Sequence, residues 1–84
     1  MTSRPVALVT GASRGIGRAI SLELARTHDL VVVARTADAL EALAVEARQH
    51  GAQVTPIAVD ITDGDAVARA LAGVSCDVLV NNAG

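Results

Sequence analysis

The chain contains no tyrosine, phenylalanine or tryptophan. It also has no lysine, so all seven of its basic residues are arginines. Without the rings that dominate burial in most proteins, any core must be built from Val, Leu, Ile and Ala. The lack of lysine rules out a P-loop, whose Gly-Lys-Ser/Thr turn sets an ammonium on the phosphates. A single cysteine, Cys76, excludes an intramolecular disulfide and points to a reducing, cytoplasmic setting. Apolar runs reach only about five residues, far short of the roughly 20 that a membrane span needs. The amino terminus shows no basic stretch followed by an apolar one, so no secretion signal is read there. A net charge of −2 gives neither a nucleic-acid footprint nor a basic membrane patch. Neither His28 nor His50 has a partner in sequence for metal binding or nucleophilic chemistry, so no metal site is expected.

What is present is globular in kind. Half the residues are hydrophobic and the charged share is modest, which argues against disorder. Four strand-like runs alternate with three helical ones. The first strand is placed at 5–10 and the first helix at 15–27, with Ile16, Ile20 and Leu24 as its inner stripe. The second strand, 30–34, is apolar throughout, as strands buried on both faces are. A second helix at 37–50 keeps Leu40, Leu43, Ala44 and Ala47 on one side, and Gly51 stands where a left-handed glycine ends a helix. The third strand, 53–59, contains Pro56. Because proline cannot donate to a ladder, this strand belongs at a sheet edge. The third helix is expected to start at Thr62 as its cap, with Val67, Ala70, Leu71 and Val74 inward. Asp77 to Val80 form the fourth strand, with Cys76 read as an inert core thiol just before it. After the first helix, His28 or Asp29 is the candidate for a left-handed cap.

This alternation predicts an α/β fold: the amino-terminal part of a doubly wound parallel sheet (Rossmann type), β-α-β-α-β-α-β, in strand order 3-2-1-4. The run Thr10-Gly-Ala-Ser-Arg-Gly-Ile-Gly17 lies where the first strand turns into the first helix. Such a turn aims free backbone N–H groups and the positive helix end at one point, which suits a phosphate. Gly11 allows the tight turn, Gly15 omits a Cβ where a diphosphate would approach, and Gly17 allows close packing of the helix.

Three motifs together resemble the single-domain branch of the short-chain dehydrogenase/reductase family: the glycine turn, Asp60-Ile61 after the third strand, and Asn81-Asn82-Ala83-Gly84 after the fourth. The resemblance implies a nicotinamide cofactor and the reversible reduction of a carbonyl to an alcohol. It implies that Gly11, Gly15 and Gly17 form the phosphate turn, that the Ile16 N–H faces the pyrophosphate, and that Thr10 braces the turn. Asp60 would accept a bond from the adenine amino group while the Ile61 backbone touches the ring. Asn81 would tie neighbouring strands, and Asn82, Ala83 and Gly84 would form the wall beside the riboses. For a full-length parent it implies a small carbonyl or alcohol substrate and a homo-oligomer, with no nucleic acid or membrane partner.

Cofactor choice has its own argument. NAD sites usually carry a carboxylate at the end of the second strand for the ribose 2′-hydroxyl. This chain has Arg35 there, and a guanidinium fits the oxygens of a 2′-phosphate. Arg14 can approach the same phosphate, and Ser13 and Thr36 can add hydroxyl donors. The cofactor expected is therefore NADP, with NAD the less favoured choice. The family's proton chemistry uses a tyrosine, a lysine four residues later, a serine and an asparagine. Tyrosine and lysine are missing, so no catalytic residue is assigned. The 84 residues are read as one partial cofactor-binding domain, the amino-terminal half of a longer protein. A non-catalytic NADP-binding or sensing module is the alternative.

Overall fold

The computed structural model describes residues 4–82. Seven elements alternate along it: β1 (Val6–Thr10), α1 (Gly15–Leu24), β2 (Asp29–Ala34), α2 (Ala37–Arg48), β3 (Val54–Ala58), α3 (Gly64–Ala70) and β4 (Val78–Asn81). The strands form one sheet in the order β3-β2-β1-β4, and every neighbouring pair is parallel. The chain therefore crosses back over the sheet twice before returning past β1 to β4. That reversal opens a crevice at the carboxyl ends of the strands, where ligands bind in sheets of this kind. Pro56 sits on the edge strand β3, as its missing N–H requires, opposite Val32.

The central strands are apolar because both of their faces are covered. Ala7, Val9, Leu30 and Val32 point to one side and join Leu40, Leu43, Ala44 and Ala47 of α2 in the main core. Leu8, Val31 and Val33 point to the other side, where only partly buried residues such as Ile57, Val59, Leu71 and Val74 meet them. The stripe expected for α2 is the one observed, and Gly51 follows the helix at φ +91°.

Helix α1 departs from the expected stripe. Its buried residues are Gly17 and Ser21, followed by Ala25 just past its end, whereas Ile16 is 70% exposed and Ile20 and Leu24 are only half-buried. Small residues bring this helix close to the sheet, and large ones cannot occupy the contact. A Cβ on Gly17 would lie 2.1 Å from the Gly11 carbonyl oxygen and 2.6 Å from Nδ2 of Asn82. Ser21 is accommodated without cost to its hydroxyl, which donates to the Gly17 carbonyl at 2.8 Å.

Three other expectations are corrected. Neither His28 nor Asp29 is left-handed, since every positive φ among the described residues belongs to a glycine. A tight turn ends α1 instead, with the N–H groups of Thr27 and His28 both donating to the Leu24 carbonyl. Cys76 is exposed rather than part of the core. The third helix is capped by Asp63, whose carboxylate accepts from the Ala66 N–H at 3.1 Å. Thr62 lies one residue before the cap position, and its hydroxyl donates to Asp60 instead. None of the residues of α3 is fully buried. No helix among the described residues is long and apolar enough to cross a membrane.

Candidate functional site

The carboxyl ends of β1, β2 and β3 frame an open cleft of about 490 Å³. Its lining combines Gly11, Ser13 and Arg14 from the first turn with Arg35 and Thr36 after β2, Asp60, Ile61 and Thr62 after β3, and Asn82 after β4. Four segments distant in sequence thus meet at one place. Val33, Ala34 and Val59 complete the wall, and with Thr62 they are the lining residues that the motifs alone did not single out. Strand-end position is the signal that finds them: each lies within a few residues of a strand's carboxyl end.

The glycine turn has the geometry its spacing implied. Gly11 and Gly15 adopt φ +62° and +60°, values that side-chain-bearing residues rarely take. A Cβ at Gly15 would project into open space with no atom within 4 Å. Arg14 is the N-cap of α1, extended at φ −159°, and its side chain makes no capping bond. The first turn of α1 carries no acid either. The leading N–H groups of the helix, including that of Ile16, therefore have no side-chain acceptor supplied at the cap. The contrast with α3, closed by Asp63, is direct.

A polar brace fixes the turn to the end of β4. The Thr10 hydroxyl accepts from the Asn82 N–H at 3.0 Å and lies 3.1 Å from Oδ1 of Asn81, to which it donates. Nδ2 of Asn82 donates to the Gly11 carbonyl at 3.3 Å. Thr10 is only 5% exposed and lies beneath the turn, while Asn82 and Gly11 of the same brace line the cleft itself. Gly17 lies under the brace: a Cβ there would strike both the Gly11 carbonyl and Asn82. Ala83 and Gly84 lie outside the described residues.

On the far side of the cleft, Oδ1 of Asp60 accepts from the Thr62 hydroxyl at 2.7 Å and from the Thr62 N–H at 3.0 Å. These two donors, the hydroxyl first, hold the Asp60 carboxyl below its ordinary value, and the Arg35 charge adds a smaller pull the same way. No acid follows β2 directly in sequence, but folding brings Asp60 within electrostatic reach of Arg35. Two guanidinium groups, one ionised carboxylate, hydroxyls from Ser13 and Thr36 and an open helix amino end therefore share one crevice. Chemically, this set suits a ligand with several anionic oxygens and a hydrogen-bond donor at a distance from them.

A family model described as short chain dehydrogenase matches residues 5–84. The chain belongs to that family. It is 42% identical to the sepiapterin reductase of Chlorobaculum tepidum, over 94% of this chain and 38% of that protein. Among solved structures it resembles a metagenomic short-chain oxidoreductase in complex with NADP, at TM-score 0.90 and 43% identity, covering 98% of this chain and 40% of the other. It also resembles the L-sorbose reductase of Gluconobacter frateurii, complexed with NADPH and L-sorbose, at TM-score 0.86 and 38% identity, with 98% and 34% covered. The chain thus spans well under half the length of the relatives it matches.

Proposed function

We propose that this chain forms the cofactor-binding part of an NADP-dependent oxidoreductase, which moves a hydride between the nicotinamide and a carbonyl or alcohol substrate. The observation that carries the reading is the pairing of Arg14 and Arg35 on one cleft beside an uncapped helix amino end. The residues fit the cofactor. The open position at Gly15 leaves room for a diphosphate, and the free N–H groups of α1 suit its oxygens. Arg14 and Arg35, with Ser13 and Thr36, would hold the 2′-phosphate. Asp60 and Ile61 would take the adenine, and Asn82, with Ala83 and Gly84, the riboses. Bound NADP or NADPH in the similar structures supports the choice of cofactor.

When bound, the cofactor supplies the hydride-transfer chemistry. This chain's own residues bind and orient it, and none of them is assigned to proton transfer. The same proposal extends to a small carbonyl or alcohol substrate, a homo-oligomer and a cytoplasmic setting, which the family resemblance and the single cysteine support.

The test is to measure dissociation constants for NADPH and NADH, at one salt concentration, in the protein containing this chain. Arg35→Asp removes a charged partner of the 2′-phosphate and installs a repelling carboxylate. A hydrogen bond to a charged group contributes about 1.5–3 kcal/mol, so NADPH binding should weaken by roughly one to two orders of magnitude. NADH binding should hold or improve. Arg14→Ala should weaken NADPH without creating a preference for NADH. Equal losses for both cofactors in Arg35→Asp would overturn the NADP assignment.

A further inference from the structure

We infer that Thr62 is a positioning residue for recognition of the cofactor's base: it pins one oxygen of Asp60, so that the carboxylate is held in place as an acceptor for the adenine amino group. The inference rests on the proposed cofactor reading and goes beyond it. Nothing in the motifs assigns Thr62 a role.

The argument is geometric. Asp60 lies on an exposed connection between β3 and α3, where a short side chain is free to turn about two bonds. Both donors of Thr62, its hydroxyl and its N–H, converge on the same atom, Oδ1, at 2.7 and 3.0 Å. A carboxylate held twice at one oxygen has its plane and its second oxygen fixed relative to the backbone. The turn that carries it is closed separately, by the Asp63 N–H donating to the Asp60 carbonyl at 3.0 Å. Backbone and side chain are thus anchored independently. Thr62 itself lines the cleft and is exposed, so its side chain does no core packing that would explain its place.

A fixed, ionised carboxylate can tell an amino group from a keto oxygen. It accepts from the first and repels the second, because neither carboxylate nor carbonyl brings a proton. Adenine presents an amino group at that ring position and hypoxanthine a keto oxygen. Thr62 should therefore sharpen selection of the base while leaving selection at the 2′-phosphate, the work of Arg14 and Arg35, unchanged. Without the pin, the carboxylate must be ordered at the moment of binding, at the usual cost of immobilising a side chain.

The experiment compares binding of NADPH with binding of its deaminated hypoxanthine analogue. The protein containing this chain is tested as wild type, Thr62→Val, Thr62→Ser and Asp60→Asn. Thr62→Val keeps the shape and the N–H but removes the hydroxyl, and should shrink the preference for NADPH over the analogue by about three- to tenfold. Thr62→Ser should restore it. The ratio of NADPH to NADH binding should not move in either. Titration of Asp60, followed by carboxyl NMR without cofactor, gives an independent reading. Its midpoint lies below the ordinary carboxylate value in the wild type and should rise toward it in Thr62→Val, since a lost donor destabilises the ionised form. An unchanged base preference in Thr62→Val, with the preference lost in Asp60→Asn, would overturn the positioning role and leave the adenine assignment standing. An unchanged preference in Asp60→Asn would instead overturn the adenine assignment on which it rests.

Discussion

The two faces of the sheet are made from the same strands yet are packed very differently. One face carries α1 and α2, and Leu30, Val32, Leu40 and Leu43 there are at most 1% exposed. The other carries α3, a helix of seven residues that buries none of them. Its fully buried part consists of Leu8, Val31 and Val33, and every other apolar residue packed against it is half-covered. Alternation along a strand puts comparable apolar groups on both sides, so the difference comes from the helices laid over them. Stability should therefore reside on the first face. The second face supplies only the connection that carries Asp60 and Thr62 to the cleft.

The sharpest way to break this comparison is to remove equal side chains from the two faces. Leu43→Ala empties a fully enclosed position and should cost about 2–5 kcal/mol. Leu71→Ala removes a half-covered group and should cost about 1 kcal/mol or less, in keeping with its partial burial. Denaturant unfolding of the 84-residue chain measures both, since its own burial sets the two values. Similar losses at the two positions would show that the end of α3, where Leu71 follows Ala70, is packed as firmly as α2.

The same contrast explains what could be read from sequence and what could not. The inner side of α2 was legible because its buried positions are Leu and Ala at helical spacing, where hydropathy and burial agree. The inner side of α1 was not, because contact with the glycine turn demands small residues and places Gly17 and Ser21 inward. A hydropathy pattern favours Ile16, Ile20 and Leu24, of which the helix turns the first outward and leaves the other two only half-buried. The strand order was legible through Pro56, a single residue whose missing donor restricts it to an edge. The site divides in the same way. Arg35 and Asp60 could be located because each follows a strand, and the glycine turn because its spacing is distinctive. The proximity of Asp60 to Arg35 could not, since it arises only when β2 and β3 lie side by side. The pinning by Thr62 could not either, since it depends on the conformation of the turn after β3.

The two sheet edges extend the comparison. Pro56 interrupts the donor row of β3, whereas β4 has no proline and leaves Leu79 63% exposed and Val78 37% exposed. An unprotected apolar edge recruits other chains. The isolated 84-residue chain should therefore associate with itself through β4. Burying a leucine is worth about 1.5–3 kcal/mol, so Leu79→Lys should weaken association by roughly tenfold or more. Thr55→Lys, at the β3 edge, should leave it unchanged. Analytical ultracentrifugation over a range of concentrations distinguishes the two, and equal effects would mean that the edges are equivalent.

The smallest effect is expected at the helix caps, where the two faces again differ. Helix α3 gains little from packing, so its integrity depends on local bonds, and the principal one is Asp63 accepting from the Ala66 N–H. Replacing such a cap with alanine costs about 0.5–2 kcal/mol. In a helix of two turns, that loss should appear first as faster amide exchange at Val67, Arg69 and Leu71, with the core of α2 unaffected. Helix α1 presents the opposite case. Its cap position is held by Arg14, which contributes no capping bond, yet the helix is kept in place by its contact with the sheet and by the ion pair from Arg18 to Glu46 of α2. Arg14→Ser should thus stabilise α1 by several tenths of a kcal/mol up to about 1 kcal/mol. It should weaken NADPH binding at the same time, because it removes a cation and places a competing acceptor on the N–H groups that the phosphates need. Opposite signs for stability and binding in this one variant would show that the open cap on α1 is kept for the ligand. If binding were unchanged while stability rose, the uncapped end would have no part in holding the cofactor.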